Sequence, residues 1–243
     1  MKKTTIALLS TALIAGLSAQ AAATPSDDNT TVDTLAETSK YDVENWQVTQ
    51  PPFKLNEVAI STNETTWSSL DVSPNGKFMI FDMLGDLYKV DIKGGNATPL
   101  IQDFAWNIHP AISPDGKQVA FVSDRDGLSN VWVMDIDGTH LKQITREKKD
   151  IIHAPKWSPD GEYLVVTKGI MSSRSIPAGE IWMYHKSGGD GLQIKARNSG
   201  KRDQQNIADP VFSHDGKYIY FTENTVPGAR FEYNRDPLEG IFA

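Results

Sequence analysis

Five histidines, 31 carboxylates and no cysteine are the side chains of this chain that could do chemistry. The histidines (His109, His140, His153, His185 and His214) are scattered. None forms His-x-His or His-Glu-x-x-His, the spacings that bring two imidazoles to one ion, so no metal site and no cofactor are expected within this chain. A serine nucleophile on a Gly-x-Ser-x-Gly elbow is absent from the sequence, as is a glycine-rich phosphate loop ending in Lys-Ser/Thr. Without cysteine there is neither thiolate chemistry nor a disulfide. Asp124-Arg125-Asp126-Gly127 and Asp135-Ile136-Asp137-Gly138 resemble calcium loops at first sight. An EF-hand glycine, however, stands sixth, after three ligands, whereas here it stands fourth, as in a hairpin turn. No catalytic residue is therefore assigned. Five residues remain as candidates for binding: His109, His153 and Asp209, together with Arg174 and Glu180.

The elements that place these residues come from an internal repeat. Ser73-Pro74-Asn75-Gly76-Lys77 returns as Ser113-Pro114-Asp115-Gly116-Lys117, as Ser158-Pro159-Asp160-Gly161-Glu162 and as Ser213-His214-Asp215-Gly216-Lys217. The glycines are 40, 45 and 55 residues apart, near the ~40–50 residues of a four-stranded propeller blade. Asn-Gly and Asp-Gly supply the positive φ of a tight turn, and Pro presets its entry. The repeated Asp thus serves the turn's own backbone rather than acid–base catalysis. After each turn a short β-branched or aromatic run predicts a strand (Phe78–Phe81, Gln118–Phe121, Tyr163–Val166, Tyr218–Phe221). Strands with a central aromatic follow at Leu87–Val90, Val131–Met134 and Ile181–Tyr184, and closing strands at Pro99–Ile101, Leu141–Thr145 and Leu192–Lys195.

Four residues before each motif serine stand Ser69, His109, Ala154 and Asp209, the last three followed by proline. The first strand of a blade lines the central channel, so these positions, with His153, should face it. Arg174 and Glu180 fall in the long loop of the third unit, where an Arg–Glu pair would serve either binding or the loop's own fixation. Trp132 and Trp182 recur in register and read as core.

Lys2 and Lys3, the apolar run Ile6–Leu17 and Ala19-Gln20-Ala21 read as a cleavable signal peptide over residues 1–23. That run is shorter than the ~20 residues of a bilayer span, so the expected location is periplasmic or secreted, without membrane insertion. Residues 24–45 carry six carboxylates against Lys40 alone and read as a disordered acidic linker. A net charge of −7 argues against nucleic acid as a partner. Residues 46–243 are then expected to be an all-β, incomplete propeller. It would have three full blades, part of a fourth, and a lone closing strand at Val58–Ser61 of the kind that protects an exposed edge. Ile241-Phe242-Ala243 would begin the aromatic strand of the fourth unit, which implies sequence missing beyond it.

The repeats over about residues 58–243 resemble the propeller of TolB, the periplasmic protein of an envelope system, and those of tricorn-type proteases. Three further stretches are not required by a generic blade: Phe81-Asp82-Met83-Leu84-Gly85-Asp86-Leu87-Tyr88; Ser173-Arg174-Ser175 with Gly179-Glu180-Ile181-Trp182-Met183-Tyr184-His185; and Phe231-Glu232-Tyr233-Asn234-Arg235-Asp236-Pro237 with Gly240-Ile241. Together they resemble the N-terminal propeller of secreted bacterial amidohydrolases. That resemblance implies a following metal-dependent barrel, with a divalent ion such as zinc acting on C–N bonds, as the natural partner of this chain. The propeller would be its scaffold, gate or interaction surface. The other reading is a TolB-like periplasmic module that binds envelope proteins or peptides and has no enzyme activity.

Overall fold

A computed structural model describes residues 47–51, 56, 58–170, 178–196, 207–224 and 239–242. The signal segment, the acidic linker, Arg174 with its Ser-Arg-Ser stretch, and Phe231–Pro237 lie outside the described residues. Contacts divide the chain into two units. Of the first, the described residues near Val58–Ser61 are exposed and belong to no sheet. The lone closing strand expected there is thus not formed. A four-residue segment is a strand only when a sheet edge takes its hydrogen bonds, and none does so here.

The second unit is a series of antiparallel sheets. The first contains β1 (Leu70–Val72), β2 (Phe78–Met83), β3 (Asp86–Asp91) and β4 (Thr98–Ile101), in that spatial order. The second is β5 (Asn107–Ile112), β6 (Gln118–Ser123), β7 (Asn130–Asp135) and β8 (Lys142–Gln143). A third sheet comprises β9 (Asp150–Trp157), β10 (Tyr163–Ile170), β11 (Ala178–His185) and β12 (Leu192–Lys195). The fourth has three described strands: β13 (Ile207–Phe212), β14 (Ile219–Asn224) and β15 (Glu239–Phe242). No described residue is helical. Three whole blades and part of a fourth match the expectation from the repeat. The expected closing strand at Leu141–Thr145 contracts to β8 because the Ile144 and Thr145 N–H groups both turn to the Val131 carbonyl.

Every repeat builds the same turn. In the second, the Gly116 N–H donates to the Ser113 carbonyl at 2.8 Å with φ of 71° at the glycine. The Ser113 hydroxyl donates to Asp115 Oδ1 at 2.6 Å and accepts the Gln118 N–H at 2.9 Å. The same serine hydroxyl bond, found at Asp160 and Asp215 also, holds these carboxyls below the usual carboxylate range. These acids are spent on turn geometry.

Side chains alternate across each strand, and the sheets stack through both faces. From β6, Val119 and Phe121 join Ile80, Leu87 and Ile112 against the first sheet, while Ala120 faces Ile152, Trp157 and Leu164 of the third. From β10, Leu164 and Val166 point back and Val165 points on to Ile181 and Ile207. Full burial of each such Val, Leu or Phe contributes about 1.5–3 kcal/mol. Trp157 adds a polar tie between sheets, its Nε1–H donating to the Ala111 carbonyl at 3.0 Å. Trp132 and Trp182 pack against these clusters, as their register suggests.

Candidate functional site

The first strands β1, β5, β9 and β13 touch one another in succession, so they are the inner edges that converge. Three of them carry the same irregularity. Register slips between Ile108 and Ala111 in β5, opposite Ala154 and Pro155 in β9, and between Ala208 and Val211 in β13. At each slip a non-glycine residue adopts positive φ immediately before proline: His109 at 55°, Ala154 at 48° and Asp209 at 52°. Proline normally drives its predecessor to extended backbone, so each is a bulge held against local preference. His and Asp are among the residues that tolerate this region best.

Two of the bulges are held by side chains of the neighbouring blade. The Asp82 carboxylate, buried in β2, accepts the Ser69 N–H on Oδ1 at 3.0 Å and the His109 N–H on Oδ2 at 2.9 Å. In the third blade the Thr167 hydroxyl does the same work, accepting the Asp209 N–H at 3.1 Å. Thr167 is also the direct cross-strand partner of His153.

His109 and His153 meet edge to face across blades two and three, ring centroids 6.0 Å apart. His109 Nδ1 is buried without a hydrogen-bond partner among the described residues. Burial lowers the proton affinity of both rings; Lys156 lowers it further at His109, and His109 does so at His153, while Asp82 and Asp209 oppose at His109 and Asp209 opposes at His153. Three of the five candidate residues, His109, His153 and Asp209, are thus brought to one place. Glu180 is not: it sits on β11, where its Oε2 accepts Trp182 Nε1 at 2.9 Å and Gln193 Nε2 at 2.8 Å.

Sequence reasoning passed over Asp86, which occupies in blade one the place Glu180 holds in blade three. It is buried, accepts a hydrogen bond from the Tyr88 hydroxyl on Oδ2 at 3.1 Å, and lies near Gln102 and Asp103. Burial is the main cause that pushes its pKa up to about 6, with the Asp103 charge adding to it. The folded state therefore keeps a proton that the unfolded chain has lost above about pH 4. Stability should fall as pH rises from about 4 to about 6 by ~1–2 kcal/mol, after allowance for partial screening by solvent. Asp86→Asn should abolish that slope in urea titrations at the two pH values. An unchanged slope in the variant would remove Asp86 as its source.

Comparison with known proteins joins this geometry. Residues 71–176 match the family described as the tricorn protease N-terminal β-propeller domain. A TolB-like protein of Agrobacterium tumefaciens superposes with a TM-score of 0.51 at 23% identity, over 65% of this chain and 53% of that one. The fold is that of a TolB-like β-propeller. The uncharacterized peptidase YuxL of Bacillus subtilis is 28% identical over 57% of this chain and 25% of its own length. Tricorn protease homolog 1 of Streptomyces coelicolor is 32% identical over 39% of this chain and 9% of its own. The propeller thus spans a quarter or less of these curated relatives.

Proposed function

We propose that this propeller is the non-catalytic portion of a larger exported hydrolase, for which it serves as scaffold, gate or interaction surface in the periplasm or outside the cell. One observation carries the reading: relatives named as a peptidase and a protease match this chain over a quarter or less of their length, and the matching family is a propeller domain. Among the described residues no three His, Asp or Glu side chains gather to hold one ion. The described donor set therefore does not fit the zinc of an amidohydrolase, and no metal chemistry is assigned to these residues. In this proposal the ion and its ligands belong to the catalytic domain.

Two hydrolase classes compete for that domain. The resemblance carried by the Phe81–Tyr88 and Gly179–His185 stretches favours a metal-dependent amidohydrolase barrel, which would activate water against an amide or cyclic C–N bond. The names of the relatives favour a serine peptidase. The genomic reading frame downstream of residue 243 separates them. A His-x-His strand end is the expected finding, and Gly-x-Ser-x-Gly in its place would move the reaction class to acyl transfer. Two or three more blades followed by a stop codon would refute the hydrolase reading and leave a TolB-like binder of envelope proteins or peptides.

A further inference from the structure

Blade three departs from the repeat at Glu162, His185 and Ser187, and the three side chains meet in space. The fifth residue of the turn motif is Lys77, Lys117 and Lys217 in the other blades and Glu162 here. Register aligns the other two. Asp91 of β3 pairs with Phe78 and Asp135 of β7 with Gln118, whereas in blade three His185 of β11 pairs with Tyr163. Two residues further on stand Lys93, Asp137 and Ser187. The turn itself needs only an acceptor: Asp91 Oδ1 takes the Lys93 N–H at 2.9 Å, and His185 Nδ1 takes the Ser187 N–H at 3.1 Å. An amide N–H can only donate, so Nδ1 carries the lone pair, and the Ser187 hydroxyl at 2.6 Å donates to it as well. The proton of the neutral ring is then on Nε2, 3.6 Å from Glu162 Oε2, while Lys186 Nζ holds the other oxygen of that carboxylate at 2.6 Å. Tyr163 stands edge-on to the imidazole, ring centroids 5.2 Å apart. Hydroxyl, base and carboxylate thus form a relay, with the two ring nitrogens used in the opposite sense from the usual Ser-His-Asp triad. Three joint departures from a repeat that folds without them are what a functional site leaves behind.

We propose that Ser187 is a nucleophilic serine that accepts acyl groups from activated esters, with His185 as its base and Glu162 as a positioning residue. Ser187 Oγ bonds to the acyl carbon, the ester C–O bond breaks, and the Oγ proton passes to His185 Nδ1 and from there to the departing alkoxide. The imidazolium formed on the way faces the Glu162 carboxylate. Ser187 is exposed, and a Cβ at Gly189 would meet nothing within 4 Å, so an acyl donor has room to approach. The Gly188 N–H is committed to the His185 carbonyl at 2.8 Å and does not serve an oxyanion. Acylation and release both pass through an oxyanion, so both are slow, and the site is an acyl acceptor rather than a centre of rapid turnover.

The test treats the full chain with p-nitrophenyl acetate and, separately, with an alkyl fluorophosphonate. Mass spectrometry then follows the tryptic peptide Ser187–Lys195, in which Ser187 is the one hydroxyl side chain. The adduct is expected to form faster at Ser187 than at Ser61, which is also exposed, and to be missing in Ser187→Ala. His185→Asn keeps a side-chain oxygen for the turn, as Asp91 does in blade one, and removes the base. It should slow labelling of Ser187 roughly a hundredfold, the lower end of what a positioned base supplies. Glu162→Gln should slow it roughly fivefold, as suits a half-exposed charge pair, and Glu162→Asp should recover part of that loss. Labelling of Ser187 no faster than that of Ser61, or an undiminished rate in His185→Asn, would overturn the site. An equal rate in Glu162→Gln would remove Glu162 from the relay and so refute the proposal as stated. None of these results bears on the downstream reading frame, so the two proposals fail separately.

Discussion

Gly179→Ala should lose about 3 kcal/mol of stability, the upper end of what one added methyl group costs in a packed interior. The reason is space and not backbone freedom, since Gly179 is absent from the residues with positive φ. A Cβ at this position would land on the carbonyl oxygen of Ile207, with the Ile207 carbonyl carbon at 3.0 Å and Thr167 Cγ2 at 3.2 Å. The same place in the other blades shows what it does. In blade one the Gly85 carbonyl accepts the Asn107 N–H at 2.9 Å, and in blade two the Ser129 carbonyl accepts the Ile152 N–H at 3.4 Å. Each third strand thus begins against the inner strand of the next blade. Ser129 carries a Cβ there, so the approach between blades two and three is looser. At Gly179 the methyl group would push β13 away and open the contact among Val165, Ile181 and Ile207, all of them fully buried. Urea unfolding followed by tryptophan fluorescence measures the loss. A change below about 1 kcal/mol would show that the fourth sheet yields easily.

The blades were legible because their signals are local. A Pro-Asx-Gly turn, an alternating strand and a recurring aromatic each state their geometry within a few residues. Counting back from the motif serine also found His109 and Asp209, since a repeat transfers a position from one blade to the next. What the count missed depends on contacts distant in sequence. Proline at 110, 155 and 210 suggests extended backbone before it, yet the preceding residues are left-handed. The compensation comes from Asp82, 27 residues before His109, and from Thr167, 42 before Asp209. Asp86 was within a stretch singled out for resemblance, but its burial and its contacts with Gln102 and Asp103 arise only in the folded chain. Asp82 and Thr167 thus show the same limit: a residue's type was readable, and its task was set by the neighbouring blade.

Asp82→Ala is the second large expectation, about 2–4 kcal/mol, because it strands two main-chain donors at once. The Ser69 and His109 N–H groups each lose a charged acceptor, and the left-handed bulge at His109 loses the bond that offsets its strain. The other blades allow this cost to be separated from simple loss of shape. Blade two has Val122 at the corresponding place, so an apolar side chain fits the sheet there. Blade three has Thr167, whose hydroxyl satisfies one donor. Asp82→Thr should therefore recover roughly half of the loss, by accepting one of the two N–H groups, whereas Asp82→Val should behave like the alanine variant. The His109 and His153 imidazole resonances should move together in the alanine and valine variants, as the bulge that positions the first ring relaxes. Equal stability of the alanine and threonine variants, with unmoved imidazole signals, would mean that water replaces the carboxylate and that Asp82 does not hold the His109–His153 pair in place.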